Sequence, residues 1–377
     1  MIESLHIRGY RSLEEIRVPF APLTVVTGAN GTGKSNLYRC LQLLSRAARG
    51  ELARAIVEEG GMPSVLWSGP RRRLSRQPQR VQFSVQVQTE VFGYALACGL
   101  PTPRETLFKR DPEVKTETAW LGRATRPSMC FLERDHASAS LRSADNERQE
   151  YPGDIEPSET ALAQIHDARR FPDIEIVRGH FSRWRFYHHF RTDPDSPLRQ
   201  PRQSTFCPSL AGDAGDLAAA LQTIREIGES DALAAAIDRM QPGARLEVID
   251  LEGNGWLDLR LHSRGLLRPL NTRELSDGTL RYLALIAALL SPRPAPLLAF
   301  NEPEASLHPS LLEALAELFV AATQHSQIWV TTHSEALANA LATASGRRPL
   351  RLRLDEGATR IVGQNLMGEI IDEPTDR

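Results

Sequence analysis

Residues 28–35 of this chain read Gly-Ala-Asn-Gly-Thr-Gly-Lys-Ser, the spacing of a phosphate-binding loop. The loop follows a short apolar segment, 23–27, and precedes a stretch, 37–48, with apolar residues every three or four positions. This order predicts a strand, a glycine-rich turn and a helix whose first N–H groups surround a polyphosphate. Lys34 would reach the β and γ phosphates, and Ser35 would hold Mg²⁺. The residues predicted to bind nucleotide here are Gly28, Ala29, Asn30, Gly31, Thr32, Gly33, Lys34, Ser35 and Asn36.

A second group of polar residues, Asn301-Glu302-Pro303-Glu304, directly follows the apolar segment 296–300. A carboxylate at the carboxyl end of a central strand can activate water against a γ-phosphate, so Glu302 is the predicted general base. The position before this base commonly supplies an acidic oxygen for Mg²⁺. Here Asn301 keeps a carbonyl acceptor but lacks the charge, and we expect weaker Mg²⁺ binding or slower hydrolysis. The structural alternative is a strand that simply ends in a polar loop.

Two further motifs are weak signals alone and become informative in combination with the phosphate-binding loop. Leu275-Ser276-Asp277-Gly278-Thr279 precedes an apolar helix, and its hydroxyl, glycine and helix N-terminus could bind an anion. Taken alone, it is a good helix cap. His333 follows the apolar strand predicted at 327–332 and could donate to a γ-phosphate, although a histidine at a strand end is often structural.

Taken together, the order of these motifs resembles that of the ABC-type ATPases. It is most similar to the soluble SMC/RecF/OLD-like branch, which includes AAA-family and RecF-like predicted ATPases. The S-L-H-P sequence at 306–309 and the opening motif at 7–13 also resemble this branch. Segments 185–191 and 217–228 are similar to a subgroup of predicted ATPases, which extends the resemblance over nearly the full length.

The resemblance implies a role for each motif. Lys34 and the loop amides bind phosphates, Glu302 polarises the attacking water, and His333 contacts the γ-phosphate. Ser276 and Gly278 face the ATP of an opposite subunit, so that a homodimer encloses two nucleotides, with residues 304–307 as the D-loop at the interface. The implied cofactors are ATP and Mg²⁺.

Three features depart from the family pattern or stay open. Asn301 replaces the usual acidic residue, and the glutamine of a Q-loop is not identifiable, since Gln86 and Gln88 fall on an apparent strand. Arg11 is either a nucleotide contact or a solvated arginine in a turn.

We therefore predict an α/β fold of the ABC-type P-loop NTPase class, with a mixed central sheet, an antiparallel β lobe and an irregular insertion. The predicted lobes are a nucleotide-binding lobe at 1–95, an insertion or helical lobe at 96–239 and a C-terminal ATPase lobe at 240–377. The elements predicted by periodicity are strands at 2–8, 17–19, 81–87, 296–300 and 327–332, a hairpin at 245–251 and 256–261, and helices at 158–170, 213–227, 279–290, 310 onward and 335–344.

Composition restricts the class of protein. The net charge of −2 over 377 residues gives no general case for nucleic acid or an anionic membrane. The four cysteines (Cys40, Cys98, Cys130 and Cys207) are scattered, which predicts neither a zinc site nor a disulfide framework and favours the cytoplasm. The longest apolar run, 283–290, is too short to span a bilayer.

The segment 178–206 mixes arginines with aromatic residues. Such a mixture can bind DNA through phosphate contacts from Arg183, Arg185 and Arg191 and through base stacking. Equally, the aromatics can pack inside a lobe and leave the arginines at its surface.

The leading functional hypothesis is an ATPase that dimerises around ATP, in DNA repair or genome defence. The alternative is a nucleotide-gated regulatory protein with little turnover, which holds an effector protein. The long insertion between Ser35 and Ser276 disfavours a transporter motor, and the short chain after His333 disfavours a nuclease. The absence of heptads argues against a long coiled-coil machine.

Overall fold

The computed structural model describes residues 1–70, 79–87, 92–103, 105–123, 126–151 and 153–365. The β-strands within these ranges are β1 (Ile2–Tyr10), β2 (Leu13–Pro19), β3 (Leu23–Gly28), β4 (Arg80–Val87), β5 (Phe92–Gly99), β6 (Glu113–Leu121), β7 (Cys130–Asp135), β8 (Ser138–Arg142), β9 (Arg148–Glu150), β10 (Arg185–Tyr187), β11 (Arg202–Gln203), β12 (Arg245–Leu251), β13 (Trp256–His262), β14 (Leu270–Asn271), β15 (Leu297–Asn301), β16 (Gln327–Thr331), β17 (Leu350–Asp355) and β18 (Ala358–Ile361).

The α-helices in the same ranges are α1 (Lys34–Ala47), α2 (Leu52–Glu58), α3 (Met62–Val65), α4 (Ala161–Gln164), α5 (Pro172–Ser182), α6 (Leu217–Ile227), α7 (Ser230–Met240), α8 (Asp277–Leu289), α9 (Leu312–Ala322) and α10 (Glu335–Ser345). None of the helices in the described part of the chain is both long and apolar enough to cross a membrane.

Internal contacts divide the chain into two compact units. The first unit takes the described residues of 1–21, 28–184 and 350–377, and the second takes 22–27 and 185–349. Each unit is therefore assembled from segments that are distant in the sequence. The predicted division into lobes at residues 95 and 239 stays a prediction.

The first unit is built on an antiparallel sheet with the strand order β2-β1-β4-β5-β6-β7-β8-β9. Strand β4 shows why it forms: Val81, Phe83, Val85 and Val87 are buried and alternate with more exposed polar residues. The hairpin β17–β18 belongs to the same unit. The predicted antiparallel lobe is confirmed, and it is larger than we expected.

The extent of the irregular insertion needs a correction. Strand β5 crosses residue 95, and β6 to β9 continue the sheet through a segment expected to be irregular. The helix predicted at 158–170 is also wrong: α4 is only four residues long, and α5 starts at Pro172. Proline has no N–H to donate and disfavours a helical residue before it, so a new helix begins at this point.

The second unit contains the parallel strands β10-β15-β16-β3 in that order. Every residue of β15 and β16 is buried, as expected for strands covered on both faces. The rings of Tyr187 and Phe300 stack at 5.0 Å between centroids, and Phe319 of α9 meets Phe300 edge-on at 5.0 Å. The predicted α/β fold class is confirmed.

A smaller sheet in the second unit has the order β11-β13-β12, with β14 paired to β13. The predicted hairpin is confirmed, because Arg245 pairs with His262 and Leu251 with Trp256. Helix α8 is buried on almost every side, and α6 and α7 contact it. The short turn Thr272–Glu274, which precedes α8, contacts β13 of the small sheet.

Candidate functional site

The phosphate-binding loop, residues 28–35 (the P-loop), follows β3 directly, and α1 begins within it at Lys34. Gly31 and Gly33 have φ angles of +81° and +99°, a backbone region that favours glycine. Ala29, Asn30, Gly31 and Ser35 are exposed. The loop therefore presents backbone and the Ser35 hydroxyl at the N-terminus of a helix, as the sequence predicted.

Lys34 lies with its side chain buried, at 7% exposure. Its Nζ donates to the carbonyl oxygens of Gly28 and, at 3.0 Å, of Ala29. The hydroxyl of Thr32 also donates to the Ala29 carbonyl, at 2.8 Å. A buried cation held inside a glycine-rich loop fits a polyphosphate, and the exposed Ser35 hydroxyl fits the Mg²⁺ that accompanies it.

Residues outside the motif brace the P-loop within the first unit. A Cβ on Gly33 would lie 2.2 Å from Oγ1 of Thr359 and 3.0 Å from Oγ of Ser12. Ser12 Oγ also accepts from Asn36 Nδ2 at 2.9 Å and lies 2.8 Å from Thr359 Oγ1. The sequence identified Ser12 only as part of an opening motif and gave no signal for Thr359, which is far away in the chain.

Arg11 is engaged with another residue of the first unit. Its Nη2 lies 2.7 Å from Oε2 of Glu59, and the two side chains are 23% and 18% exposed. The Tyr10 hydroxyl donates to the same Glu59 oxygen at 2.5 Å, and burial raises the pKa of this phenol, so it stays a donor. This pairing supports a structural role for Arg11, and its contact with nucleotide stays a prediction.

The carboxyl ends of three parallel strands lie side by side in the second unit. Thr331 of β16 is in register with Val26 of β3 on one side and with Asn301 of β15 on the other. Glu302, the residue after β15, donates its N–H to the Thr331 carbonyl at 2.8 Å and has a φ of +50°. This edge is where ligands bind in parallel α/β sheets, and it carries the predicted base.

Glu302 and His333 come together with Glu304 in a strand-end cluster. Nδ1 of His333 lies 3.4 Å from Glu302 Oε1 and 3.6 Å from Glu304 Oε1. The side chains of Glu302 and His333 are 39% and 53% exposed, whereas that of Glu304 is 8% exposed. A hydrogen on Nδ1 would therefore face carboxylates, which leaves Nε2 as the ring nitrogen for a substrate.

Glu304 was predicted as the start of the D-loop segment, and the structure gives it a second contact that the sequence did not indicate. Its Oε1 accepts from the Thr332 hydroxyl at 2.5 Å and from the Ser334 N–H at 3.3 Å. It thereby ties the residues on both sides of His333 to the start of the D-loop segment, 304–307. The sequence signals for Glu304 were its place as the second acidic residue of Asn-Glu-Pro-Glu and its implied place in the D-loop.

Asn301 is buried, and its side chain is fixed to the neighbouring strand. Its Oδ1 accepts a hydrogen bond from the Thr331 hydroxyl at 2.7 Å. The carbonyl oxygen that we expected to assist Mg²⁺ is thus already an acceptor within the sheet, with one lone pair left.

The signature loop, residues 272–278, leads into α8. Ser276 is exposed and caps the helix, since its Oγ accepts from the Thr279 N–H at 3.2 Å. A Cβ on Gly278 would lie 2.7 Å from the Ser306 carbonyl, so only glycine permits this approach. Arg281, one turn into α8, donates to the Ala305 carbonyl at 3.1 Å and to Ser306 Oγ at 2.7 Å. Hydrogen bonds therefore join α8 to the D-loop segment within one chain.

The glutamine Gln86 and most aromatic residues of segment 178–206 make contacts within the fold. Gln86 donates from Nε2 to the carbonyls of Phe92 and Gly122, both at 3.1 Å, which is a role within the sheet. Gln88 lies outside the described residues. Among the aromatics of segment 178–206, Phe181, Trp184, Tyr187 and Phe190 are buried, which favours the packing interpretation.

Arginines that were predicted to contact DNA already make hydrogen bonds or ion pairs within the protein. Arg183 Nε donates to the Gly179 carbonyl at 3.0 Å, and Arg191 forms an exposed pair with Asp193 at 2.9 Å. Arg185 begins β10 and is half-buried. DNA binding through these residues stays a prediction.

Comparison with known proteins gives one family match and one local relative. The model of the family described as "AAA domain, putative AbiEii toxin, Type IV TA system" matches residues 23–339. An OLD nuclease from Thermus scotoductus is 39% identical over 44 residues, which is 12% of this chain and 8% of that protein. The match thus spans less than a tenth of the relative's length.

Solved structures with a similar fold include a crystal structure of an SmcHead bound to the C-winged helix domain of ScpA. It is 15% identical, with a TM-score of 0.52, and covers 97% of this chain and 98% of its own. An Smc head domain with an extended coiled coil, bound to a ScpA domain derived from Pyrococcus furiosus, is 14% identical over 96% of this chain and 95% of its own, with a TM-score of 0.49. The first similarity shows that the chain has the fold of an Smc head.

Proposed function

This chain belongs to the AAA domain family, as an ATPase of the SMC/RecF/OLD-like branch, and on that premise we propose that it hydrolyses ATP as a homodimer. The single observation that carries the proposal is the P-loop, with buried Lys34 behind exposed loop backbone at the start of α1. The proposed cofactor is Mg²⁺, held by Ser35 and assisted by Asn301. When bound, the metal ion would neutralise phosphate charge.

In this proposal Glu302 accepts the proton of the attacking water. It is partly exposed at a strand end, as a base that must meet substrate requires. His333 stands beside it and would donate from Nε2 to the γ-phosphate, while Glu304 holds the loop around His333 in place. Lys34 would bind the β and γ phosphates from the P-loop.

A dimer is proposed because a residue predicted to contact the nucleotide of a second subunit is accessible. Ser276 is exposed, and its hydroxyl stands at the N-terminus of α8, where an anion is stabilised. Together with Gly278, it would complete the nucleotide site of the other subunit. ATP could then favour the closed dimer through contacts that the open state lacks, and hydrolysis would release it.

For the biological role, we propose genome defence or DNA repair in the cytoplasm. The family description names a putative toxin of a Type IV toxin–antitoxin system, and the local relative is an OLD nuclease. Both are consistent with a defence role. The proposed partner is an effector protein, or DNA contacted by Arg183, Arg185 and Arg191. No membrane partner is proposed.

A second candidate is a nucleotide-gated switch with little turnover. One observation favours it: Asn301 carries no charge, and its Oδ1 already accepts from Thr331. A site with one carboxylate fewer should bind Mg²⁺ more weakly and hydrolyse ATP more slowly.

Turnover by Glu302→Gln protein tests the proposal and separates the two candidates. We expect the variant to bind ATP, to lose at least about 100-fold in hydrolysis, and to accumulate as a dimer in light scattering with Mg-ATP. Glu313→Gln, on an exposed position of α9, serves as the control and should behave as wild type. Equal and slow hydrolysis by wild type and Glu302→Gln would favour the switch, and a protein that stays monomeric with saturating ATP would reject the dimer.

A further inference from the structure

Arg199 is a buried arginine within the arginine–aromatic segment 178–206, and the sequence assigned it no role of its own. It ends the 3₁₀ turn Pro197–Arg199 in the segment 188–201, which connects β10 to β11 in the second unit. Its side chain is 10% exposed. A buried guanidinium is costly unless its donors are satisfied, so its partners indicate what it does.

Four carbonyl groups and one carboxylate surround this guanidinium. Three of the carbonyls belong to the signature loop: Nη1 donates to Thr272 at 3.3 Å, to Arg273 at 3.1 Å and to Leu275 at 2.8 Å. Nη2 donates to Asp277 Oδ1 at 2.6 Å, and Nε donates to the Thr192 carbonyl at 2.6 Å. One side chain therefore holds both the loop before Ser276 and the residue after it.

One other buried contact anchors the start of the signature loop: Thr272 Oγ1 accepts from the Leu259 N–H of β13 at 3.2 Å. The contacts around the following turn are more exposed. Asn271 and Glu274 form a capping box around the short turn Thr272–Glu274, and Glu274 pairs with Arg268 at 2.7 Å. The Arg268 and Glu274 side chains are 68% and 32% exposed, and pairs of this kind contribute little to rigidity. Arg199 is thus a buried, multiply bonded support whose contacts reach Leu275 and Asp277, on either side of Ser276.

The shape of the guanidinium matters here. It carries five N–H donors in a planar fork, which allows one group to reach several carbonyls that point in different directions. A lysine ammonium has the same charge but donates from a single atom. Charge alone would therefore not reproduce this support.

We propose that Arg199 is a positioning residue for the signature loop, which holds Ser276 where it meets the nucleotide of a second subunit. The proposal rests on the dimer described under the proposed function. Arg199 then acts in trans: it serves the P-loop of the partner and leaves the P-loop of its own chain intact.

Subunit mixing tests this directly. Arg199→Ala alone and Lys34→Ala alone should each hydrolyse ATP at a small fraction of the wild-type rate. A mixed dimer would join the intact P-loop of the Arg199→Ala chain to the intact signature loop of the Lys34→Ala chain. We expect an equimolar mixture to recover roughly a quarter of the wild-type rate, since half the subunits enter mixed dimers with one good site.

The outcomes are distinct. No recovery in the Arg199→Ala mixture, while Ser276→Arg recovers activity with Lys34→Ala, would overturn the role in trans. No recovery in either mixture would reject the composite dimer site itself, which is a failure of the proposed function. Arg239→Ala, which removes an exposed arginine paired with Glu317, is the matched control and should keep wild-type turnover.

Two further measurements exclude a general folding defect. Arg199→Ala should bind a non-hydrolysable ATP analogue within about twofold of wild type, because its own P-loop is unchanged. Arg199→Lys should fail to restore turnover, and Asp277→Asn, at a half-exposed position, should lower it several-fold while the protein stays folded. Wild-type turnover in Arg199→Lys, or loss of analogue binding in Arg199→Ala, would contradict the proposal.

Discussion

The P-loop and the signature loop both stand at the N-terminus of a helix, yet they are built differently. The P-loop combines local geometry with outside support: Gly33 precedes α1 in a left-handed conformation, Lys34 donates back to Gly28, six positions earlier, and Thr359 packs against Gly33. The signature loop depends on Arg199, 78 positions before Asp277, and on close approach to the Ser306 carbonyl.

This difference teaches which kinds of damage each loop should tolerate. A loop formed by local backbone preferences fails when a residue cannot adopt the required φ angle. A loop held by distant side chains fails when packing elsewhere in its unit changes. The two loops should therefore respond to different substitutions, and three predictions test this.

The largest effect should follow from Gly33→Ala in the P-loop. The new Cβ would meet Thr359 Oγ1 at 2.2 Å, in a backbone conformation with φ of +99°. Together, the left-handed backbone and the overlap should cost roughly 3 kcal/mol of unfolding free energy and weaken ATP binding strongly. Urea unfolding and titration with an ATP analogue measure both.

Gly31→Ala is the matched control for this prediction. Its φ angle is +81°, but no atom lies within 4 Å of the added Cβ. The backbone alone should cost about 1 kcal/mol. Equal stability losses in the two variants would show that Ser12 and Thr359 do not shape the loop.

A second, more selective effect should follow from Gly278→Ala in the signature loop. Alanine favours a helix, but its Cβ would lie 2.7 Å from the Ser306 carbonyl and push α8 from the D-loop segment. Displacement by part of an ångström should lower turnover on the order of 100-fold while ATP-analogue binding stays unchanged.

Gly179→Ala controls for helix propensity, since this α5 glycine has no atom within 4 Å of an added Cβ. It should raise the unfolding free energy by about 0.5–1 kcal/mol and keep wild-type turnover. If Gly278→Ala hydrolysed ATP like wild type, the close approach to Ser306 would have no role in the reaction.

The smallest effect should follow from Arg11→Ala. This variant tests whether Arg11 contributes to nucleotide binding at the P-loop. Loss of the partly buried pair with Glu59 should cost about 1 kcal/mol of unfolding free energy. ATP affinity should not change, because the guanidinium is already paired. The mostly exposed Arg54, paired with Glu58, is the control, and its removal should change neither quantity. A clear drop in ATP affinity for Arg11→Ala would place this residue at the nucleotide.

Much of the fold was predictable because its signals are local. Alternation predicted β4, the Asn-Gly turn predicted the hairpin β12–β13, and apolar spacing predicted α1. Strands β7 to β9 were missed because they have at most six residues and carry several charges. Strand β6 has nine residues, but its sequence EVKTETAWL does not alternate regularly between apolar and polar residues.

The candidate site likewise contains residues that the sequence predicted and contacts that it did not. Glu302 and His333 were predicted from their places after apolar strands, and the structure brings them within 3.4 Å. Glu304 was predicted only as the start of the D-loop, because its role beside His333 comes from burial and from the Thr332 hydroxyl, to which no periodicity points. Arg11 was left open for the same reason, since Glu59 lies far away in the sequence.

The sequence by itself determined the nucleotide loop, the order of the motifs and the helices and strands that carry them. These depend on glycine conformations, helix starts and the side-chain periods of 2 and 3.6, which are properties of neighbouring residues. Only the tertiary structure decided that Arg199 supports the signature loop, that Gly278 needs Ser306, and that Thr359 packs on Gly33. Contacts between distant segments exist only once the units are packed, so they leave no regular trace along the chain.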